Sequence, residues 1–390
     1  MTTAQISAPL ADRPPTASQH LKHIRELDGI RGLAALMVFF HHALYANLES
    51  KDWHGPIRSV MDICAYGNTG VDLFFVLSGF LITSILLKDR TSPRYYQDFY
   101  WKRSLRILPL YTVCILAAFA TTHDLKAFLF RAFFLANIGP IFHVASSGPF
   151  WTLAIEEQFY LIWPTVVRRR SPVKVFYWAI ALGLSSFFLR LAFAHAGHHN
   201  YSISFLRFDG LAFGAVLACH FRKPAAKANA RKNNQILGGL LLLGIATLGA
   251  SSLITRLYAQ TVYYSDALFQ TGVVLVTGSI IGLVILHSGA RALAILRSRL
   301  LTFFGLISFA LYMIHDNLLY VYDHFFGPID TDQVHRLLLR MAVVFAATIA
   351  LSIASRYCIE LPAMSLRKRV LLHPSLTAET ENPPLPLANM

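Results

Sequence analysis

The chain reads as an all-α polytopic membrane protein of about ten transmembrane helices plus one re-entrant or interfacial segment. Three observations lead there. Hydrophobic residues make up 55% of the 390 residues and charged residues 14%, with a mean hydropathy of +0.48. That balance is too apolar for a soluble domain, and the chain is too long for a single span. Apolar stretches of about 20 residues recur, separated by short polar runs and lacking the strict alternation of barrel strands. The basic residues, which bring the net charge to +14, gather beside the ends of these stretches, where positive charge sets membrane orientation. This distribution argues against nucleic-acid binding, which uses a continuous basic face.

Eleven apolar stretches can be marked, at 30–48, 70–87, 104–121, 127–142, 150–167, 173–195, 203–221, 236–256, 264–287, 301–322 and 336–358. If all eleven crossed, the basic run at 88–103 and Arg168 to Arg170 would fall on opposite sides. The weakest stretch, 127–142 (AFLFRAFFLANIGPIF), holds Arg131, Asn137 and a Gly-Pro. Reading it as re-entrant leaves ten alternating spans. Lys22, Arg25, the 88–103 loop, Arg168 to Arg170, the 222–232 loop, Arg291 to Arg299 and the 367–369 run then share one side. The positive-inside rule makes that side the cytoplasm, so both termini are expected there, in a cell inner membrane. Residues 1–23 and 367–390 are expected to be disordered cytoplasmic tails around one membrane domain at 24–366.

Cys64, Cys114, Cys219 and Cys358 lie far apart, with no CxxC and no metal-like spacing. Three fall inside apolar stretches and suit packing. Cys64 falls in what reads as a polar loop. No metal site is expected.

The polar residues within the spans carry the functional signal. Arg31 sits near the inner end of the first span. His42, eleven residues on, is about 16 Å deeper and on the same helical face, since eleven residues make about three turns. Asp28 shares that face and is placed to pair with Arg31. His41 is turned about 80–100° away. A single intramembrane histidine is as well explained by an interhelical hydrogen bond. His42, however, has company in Asp72, Ser78, Glu156, Glu157, Arg207, Asp209, Tyr312 and His315. Any of these could form a structural pair, Arg207 with Asp72 or Asp209 above all. Two histidines, several carboxylates and an arginine at similar depth on five spans point to a polar cavity opening outward. At the inner end of the third span, Arg103 and Arg106 lie three apart on one face. Positive-inside anchoring explains them without any spacing, while two arginines aimed at one point also suit a phosphate. No Gly-rich phosphate loop accompanies them.

Six segments, LDGIRGLAALMVFFHH, GVDLFFVLSGFLI, WKRSLRILP, WTLAIEEQFYLIWP, RFDGLAFG and ISFALYMIH, resemble in order the motifs of the acyltransferase-3 family of integral membrane acyltransferases. The resemblance runs from about residue 24 to 366. It implies an O-acyltransferase that moves an acyl group, acetyl above all, from cytoplasmic acyl-CoA to a hydroxyl of an extracytoplasmic acceptor. The acceptor would be a cell-surface or secreted glycan, or a small molecule. Acyl-CoA would be a co-substrate, with no bound cofactor, and the bilayer the remaining partner. The family's Arg-x10-His element falls on Arg31 and His42, its Arg-x-x-Arg element on Arg103 and Arg106, and its motif glutamate on Glu156. Thr152 and Ala154 stand where two serines are common, and Asp316-Asn317 where an aromatic and a proline are frequent. No SGNH-type esterase domain is expected in the fewer than 35 residues after Glu360.

Acyl transfer to an alcohol needs a base, an oxyanion site and a held donor. On this resemblance His42 serves as general base or transient acyl carrier, with Glu156 orienting its imidazole. Arg103 and Arg106 hold CoA phosphates, with Arg31 further along the donor path, a depth that a pantetheine arm of about 15–20 Å can cover. The acceptor enters among Asp72, Arg207, Asp209, Tyr312 and His315. A proton-coupled secondary transporter would use the same buried histidines and carboxylates. It leaves the paired arginines unexplained, and no inverted repeat is visible. A non-catalytic glycan-binding membrane subunit would require the base to be dispensable.

Overall fold

The computed structural model describes residues 23–46, 54–144, 148–198, 202–222, 229–258, 262–327, 329 and 333–371. The tails expected at the two ends lie outside the described residues for 1–22 and 372–390, as does most of the 222–232 loop. The described residues are helical, with no strand among them.

Helix α1 (Arg25–His41) runs into a π-helical turn, His42–Ala46. Helix α2 (Pro56–Ala65) continues through a 3-10 turn, Tyr66–Thr69, into α3 (Gly70–Lys88). Then come α4 (Tyr95–Thr122), α5 (Leu125–Ala132), a 3-10 segment Ala136–Phe142, and α6 (Phe150–Arg169). The second half holds α7 (Pro172–His195), α8 (Ser204–Phe221), α9 (Ala230–Leu257) and α10 (Val262–Leu286). After a 3-10 stretch at Arg291–Arg297 follow α11 (Arg299–Phe326) and α12 (Val334–Ser355), a π turn at Arg356–Glu360, and α13 (Leu361–Leu371).

Among the described residues, nine helical units are long and apolar enough to cross a membrane: α1, α2–α3, α4, α7, α8, α9, α10, α11 and α12 with its continuation. Helix α6 falls outside that set because Glu156, Glu157 and Gln158 lie at its centre. Its 20 residues nevertheless cover about 30 Å, and with it the crossings reach the expected ten. The 127–142 segment does not cross. Helix α5 has 8 residues, about 12 Å of rise. Its N-terminus is capped by Asp124, whose Oδ1 accepts from the Ala127 amide at 2.9 Å. The 3-10 segment then returns toward the start of α6. It is held there by Asn137, whose side-chain amide donates to Ser204 at 2.8 Å and whose Oδ1 accepts from Gln158 at 3.0 Å.

One expectation is corrected. Residues 56–65 read as polar loop, yet they form α2, with Pro56 preorganising its first turn. Cys64 therefore lies on a helix, half-buried, and its carbonyl accepts a hydrogen bond from His41 Nδ1 at 3.0 Å.

Small residues set the closest crossings. A Cβ at Gly32 would collide with the Leu301 carbonyl, and one at Gly305 with the Asp28 carbonyl, so α1 and α11 touch backbone to backbone. Gly79 and Gly214 do the same for α3 and α8. Without a hydrophobic force between helices in lipid, such close approach is what van der Waals packing requires. Large apolar side chains stay exposed on α7 and α9, among them Trp178, Phe188 and Leu242, as on a lipid-facing rim.

Candidate active site

Two cavities meet inside this bundle. The larger, about 1580 Å³, opens at the end of the molecule where α1 begins and α3 ends; His23, Lys88, Arg222 and Arg297 stand on its wall. Deeper in, its wall carries Arg31, Arg103, Arg106, Glu156 and Ser308. The smaller, about 170 Å³, lies toward the opposite end and is lined by His41, His42, Asn68, Trp151 and His315, under a cover of Gly148 and Pro149. Val71 and Tyr312 line both.

The arginines are held loosely. Arg31 donates to Ser308 Oγ at 3.2 Å, and Ser308 donates in turn to the Gly305 carbonyl at 2.9 Å. Asp28 does not take up the pairing with Arg31 expected of it; its carboxylate lies 2.7 Å from His23 instead. Arg103 reaches Glu156 at 3.3 Å and Glu157 at 3.5 Å, with its guanidinium 3.9 Å above the Tyr160 ring. The Tyr160 hydroxyl donates to Glu156 at 3.0 Å and lies 2.8 Å from Ser78. Arg106 is solvent-exposed where it lines the cavity. Arg31, Arg103 and Arg106 therefore face one space whose wall also carries Arg25, Lys88, Arg222 and Arg297 against the carboxylates Glu26, Asp28 and Glu156, a surplus of positive charge suited to an anion.

The histidines form a relay of hydrogen bonds. His42 Nδ1 lies 3.0 Å from the Val38 carbonyl and 3.3 Å from His315 Nε2. His315 Nδ1 lies 3.1 Å from the Leu311 carbonyl. A carbonyl only accepts, so the bond pattern assigns the proton to Nδ1 in both rings. The one Nδ1–H of His42 is then shared between the Val38 carbonyl and, at the longer distance, His315 Nε2, which leaves His42 Nε2 as the basic nitrogen. The π turn begins at His42 itself, a feature common at functional sites. His41 packs edge-on against His42, with ring centroids 5.1 Å apart, while its Nδ1 is committed to Cys64.

Two sequence-based expectations fail here. Glu156 does not orient His42; its carboxylate serves Arg103 and Tyr160 in the large cavity, and His315 holds the imidazole. Asp72, Arg207 and Asp209 do not face an acceptor. Arg207 donates to Asp72 at 2.7 Å and to Gln270 at 3.1 Å, all of it buried. Asp209 pairs with Arg190 at 2.6 Å, and none of the three lines either cavity. Helix rotation turns them toward the α3–α8 and α7–α8 contacts. Tyr312 and His315 do reach a cavity wall. The sequence reading missed Arg190, Tyr160, Ser308, Asn68 and Trp151. An arginine near the end of an apolar stretch, such as Arg190, was the one readable signal, because such a charge needs a partner.

Comparison with known proteins settles the lineage. A family model described as an acyltransferase domain matches residues 24–357. The chain belongs to the acyltransferase-3 family. A provisionally named O-acetyltransferase of Staphylococcus aureus strain COL is 28% identical over 232 residues, 52% of this chain and 36% of that protein. The peptidoglycan O-acetyltransferase of Listeria monocytogenes is 33% identical over 164 residues, 37% of this chain and 24% of its own length. A provisionally named peptidoglycan O-acetyltransferase of Bacillus subtilis is 34% identical over 173 residues, 38% of this chain and 24% of its own. The chain thus spans about a third or less of the curated relatives it matches. No solved structure matches it.

Proposed function

We propose that the protein is an inner-membrane O-acetyltransferase that passes an acetyl group from cytoplasmic acetyl-CoA to a hydroxyl of a cell-wall glycan. The observation that carries this reading is the pair of cavities back to back. One presents three arginines, the other an imidazole with a defined basic nitrogen, and two side chains, Val71 and Tyr312, belong to both walls. A two-substrate transfer across a membrane needs that layout. The names of the Listeria and Bacillus relatives support a peptidoglycan acceptor. The arginine end is cytoplasmic in this reading, in accord with Lys88, Arg222 and Arg297 around its mouth. The functional unit is residues 24–366, with both termini on that side.

The chemistry follows from the geometry. Arg103 and Arg106 clamp the phosphates of CoA, and Arg31 lies further along the same wall toward the thioester. The acceptor hydroxyl, in the small cavity, gives its proton to His42 Nε2 as its oxygen attacks the thioester carbonyl. His315 Nε2 accepts from His42 Nδ1–H and so holds the imidazolium in place. As the tetrahedral intermediate collapses, the C–S bond breaks, and the proton on His42 passes to the departing CoA thiolate. One C–O bond replaces one C–S bond, and no proton is gained or lost.

The test uses full-length protein in nanodiscs, labelled acetyl-CoA and a soluble peptidoglycan fragment. Thiol release with matched transfer of label to the fragment is the expected result. Proton-coupled uptake into liposomes with no thiol release would replace this reading with the transporter. A reporter active only outside the cytoplasm should work at Gly197 and fail at Arg170, and the reverse would invert the proposed sidedness.

A further inference from the structure

We propose that Tyr312, latched by Thr152 and backed by Phe74 and Val71, is the residue that restricts the donor to short acyl groups. The inference rests on the acyl-transfer reading above and concerns which donor that site accepts. Thr152 and Phe74 line the large cavity, Trp151 the small one, and Val71 and Tyr312 both. The thioester sulfur comes from the arginine side and the attacking oxygen from the histidine side, so the reacting carbonyl must sit at this wall. Its acyl tail must then find room in the wall or in the small cavity beyond.

The wall is tightly defined. The Thr152 hydroxyl donates to the Pro149 carbonyl at 2.8 Å. It has one hydrogen, so in the 2.7 Å contact between Thr152 and Tyr312 the tyrosine must donate. That bond fixes the phenol from one side. From the other, Phe74 meets the ring edge-on at a centroid separation of 5.6 Å, and His315 lies 5.9 Å away along the same helix. Tyr312 therefore cannot swing without breaking a directed hydrogen bond and an aromatic contact.

The space beyond is small. The histidine cavity offers about 170 Å³ to water-sized groups, against about 1580 Å³ on the arginine side, and the hydroxymethyl of the acceptor must share that smaller space with the acyl chain. Each added methylene of the acyl chain therefore competes with the acceptor for the same volume, a butyryl tail more than an acetyl methyl and an octanoyl tail most of all.

The experiment measures thiol release and acyl transfer from acetyl-, butyryl- and octanoyl-CoA by full-length protein in nanodiscs. Wild type should prefer acetyl-CoA, with octanoyl-CoA inert. Tyr312→Ala should raise the butyryl-to-acetyl ratio of kcat/KM at least tenfold. Tyr312→Phe keeps the ring and loses the latch, so it should shift the ratio by only a few fold, as should Thr152→Val. Val71→Ala, a milder opening of the same wall, should move the ratio in the same direction and serves if Tyr312→Ala does not fold. A wild type that transfers acetyl, with unchanged ratios in folded Tyr312→Ala and Val71→Ala, overturns the inference and leaves the acyl-transfer reading intact. A wild type that releases thiol from no donor overturns both.

Discussion

Two sets of arginines lie inside this bundle, and their surroundings treat them in opposite ways. Arg207, Arg190 and Arg340 each have a carboxylate within 2.7 Å and are almost wholly buried, Arg340 gripping Asp323 through two nitrogens. Arg31, Arg103 and Arg106 border a large cavity and make contacts of 3.2 Å or longer where they make any that are resolved. Removing charge from water is costly, and a tight pair recovers that cost internally. A set left under-neutralised in a cavity recovers it only when an anion arrives. Proximity in the sequence does not separate the two classes; the direction in which each helix face is turned does.

Substitutions at five positions break or sharpen this contrast. His42→Ala is expected to have the largest effect, lowering transfer by about 10²–10⁴-fold with normal insertion and thermal stability, because its hydrogen-bond partners among the described residues are a backbone carbonyl and His315. Equal loss in His41→Ala at equal expression would remove the distinction between the two rings. Arg207→Ala comes next and should act on folding. Leaving Asp72 buried without its partner costs about 3–5 kcal/mol, read as lost yield and a lowered melting temperature, with the KM for acetyl-CoA of the surviving protein unchanged. A KM defect without a stability defect would place Arg207 in a binding site after all.

Arg103→Ala should give the mirror image. Losing one charged hydrogen bond to a phosphate is worth about 1.5–3 kcal/mol, or about tenfold to a hundredfold in donor affinity, with acceptor KM untouched. Arg103→Lys should recover only part, since the planar fork and its stacking on Tyr160 are lost. Donor titration by calorimetry checks both, and unchanged affinity in Arg103→Ala and Arg106→Ala would reduce these residues to orientation signals. The smallest effect belongs to His41→Ala. It forfeits one hydrogen bond to Cys64 and an edge contact, so a change of a few fold in kcat is expected, measured with the same transfer assay.

Much of this architecture is legible in the sequence. The basic loops determine which apolar stretch fails to cross, because a span inserted at 127–142 would send Arg168 to Arg170 to the wrong side. The Arg31–His42 spacing places both on a path through the membrane, since helical rise and pitch are fixed. Partnerships are less legible. Which carboxylate meets which arginine depends on the rotation of α6, α7 and α8 about their axes, and apolar stretches rich on every face carry no rotational signal. The sequence alone therefore points Glu156 at His42 and Asp209 at an acceptor, while the fold turns them to Arg103 and Arg190. Helix α2 was hidden for a different reason. Arg58, Ser59 and Asp62 interrupt its ten residues, so it lacks the hydropathy of a span, while Met61, with Ile57 against it, belongs to the core cluster that holds Phe39 and Leu44. The π turn at His42 has no sequence mark comparable to a proline.

The shared wall has an electrical consequence. With water reaching inward from both ends, the transmembrane voltage falls across whatever dry matter is left between the two hollows, and a full 100 mV is worth about 2.3 kcal/mol per elementary charge. Here that matter is little more than Val71 and Tyr312 with their neighbours. The bilayer's insulation is thus thinned to a side chain or two beside the His42 imidazole. Any variant that opens this septum trades donor selectivity against ion tightness. In a cell it should be felt first as a leak.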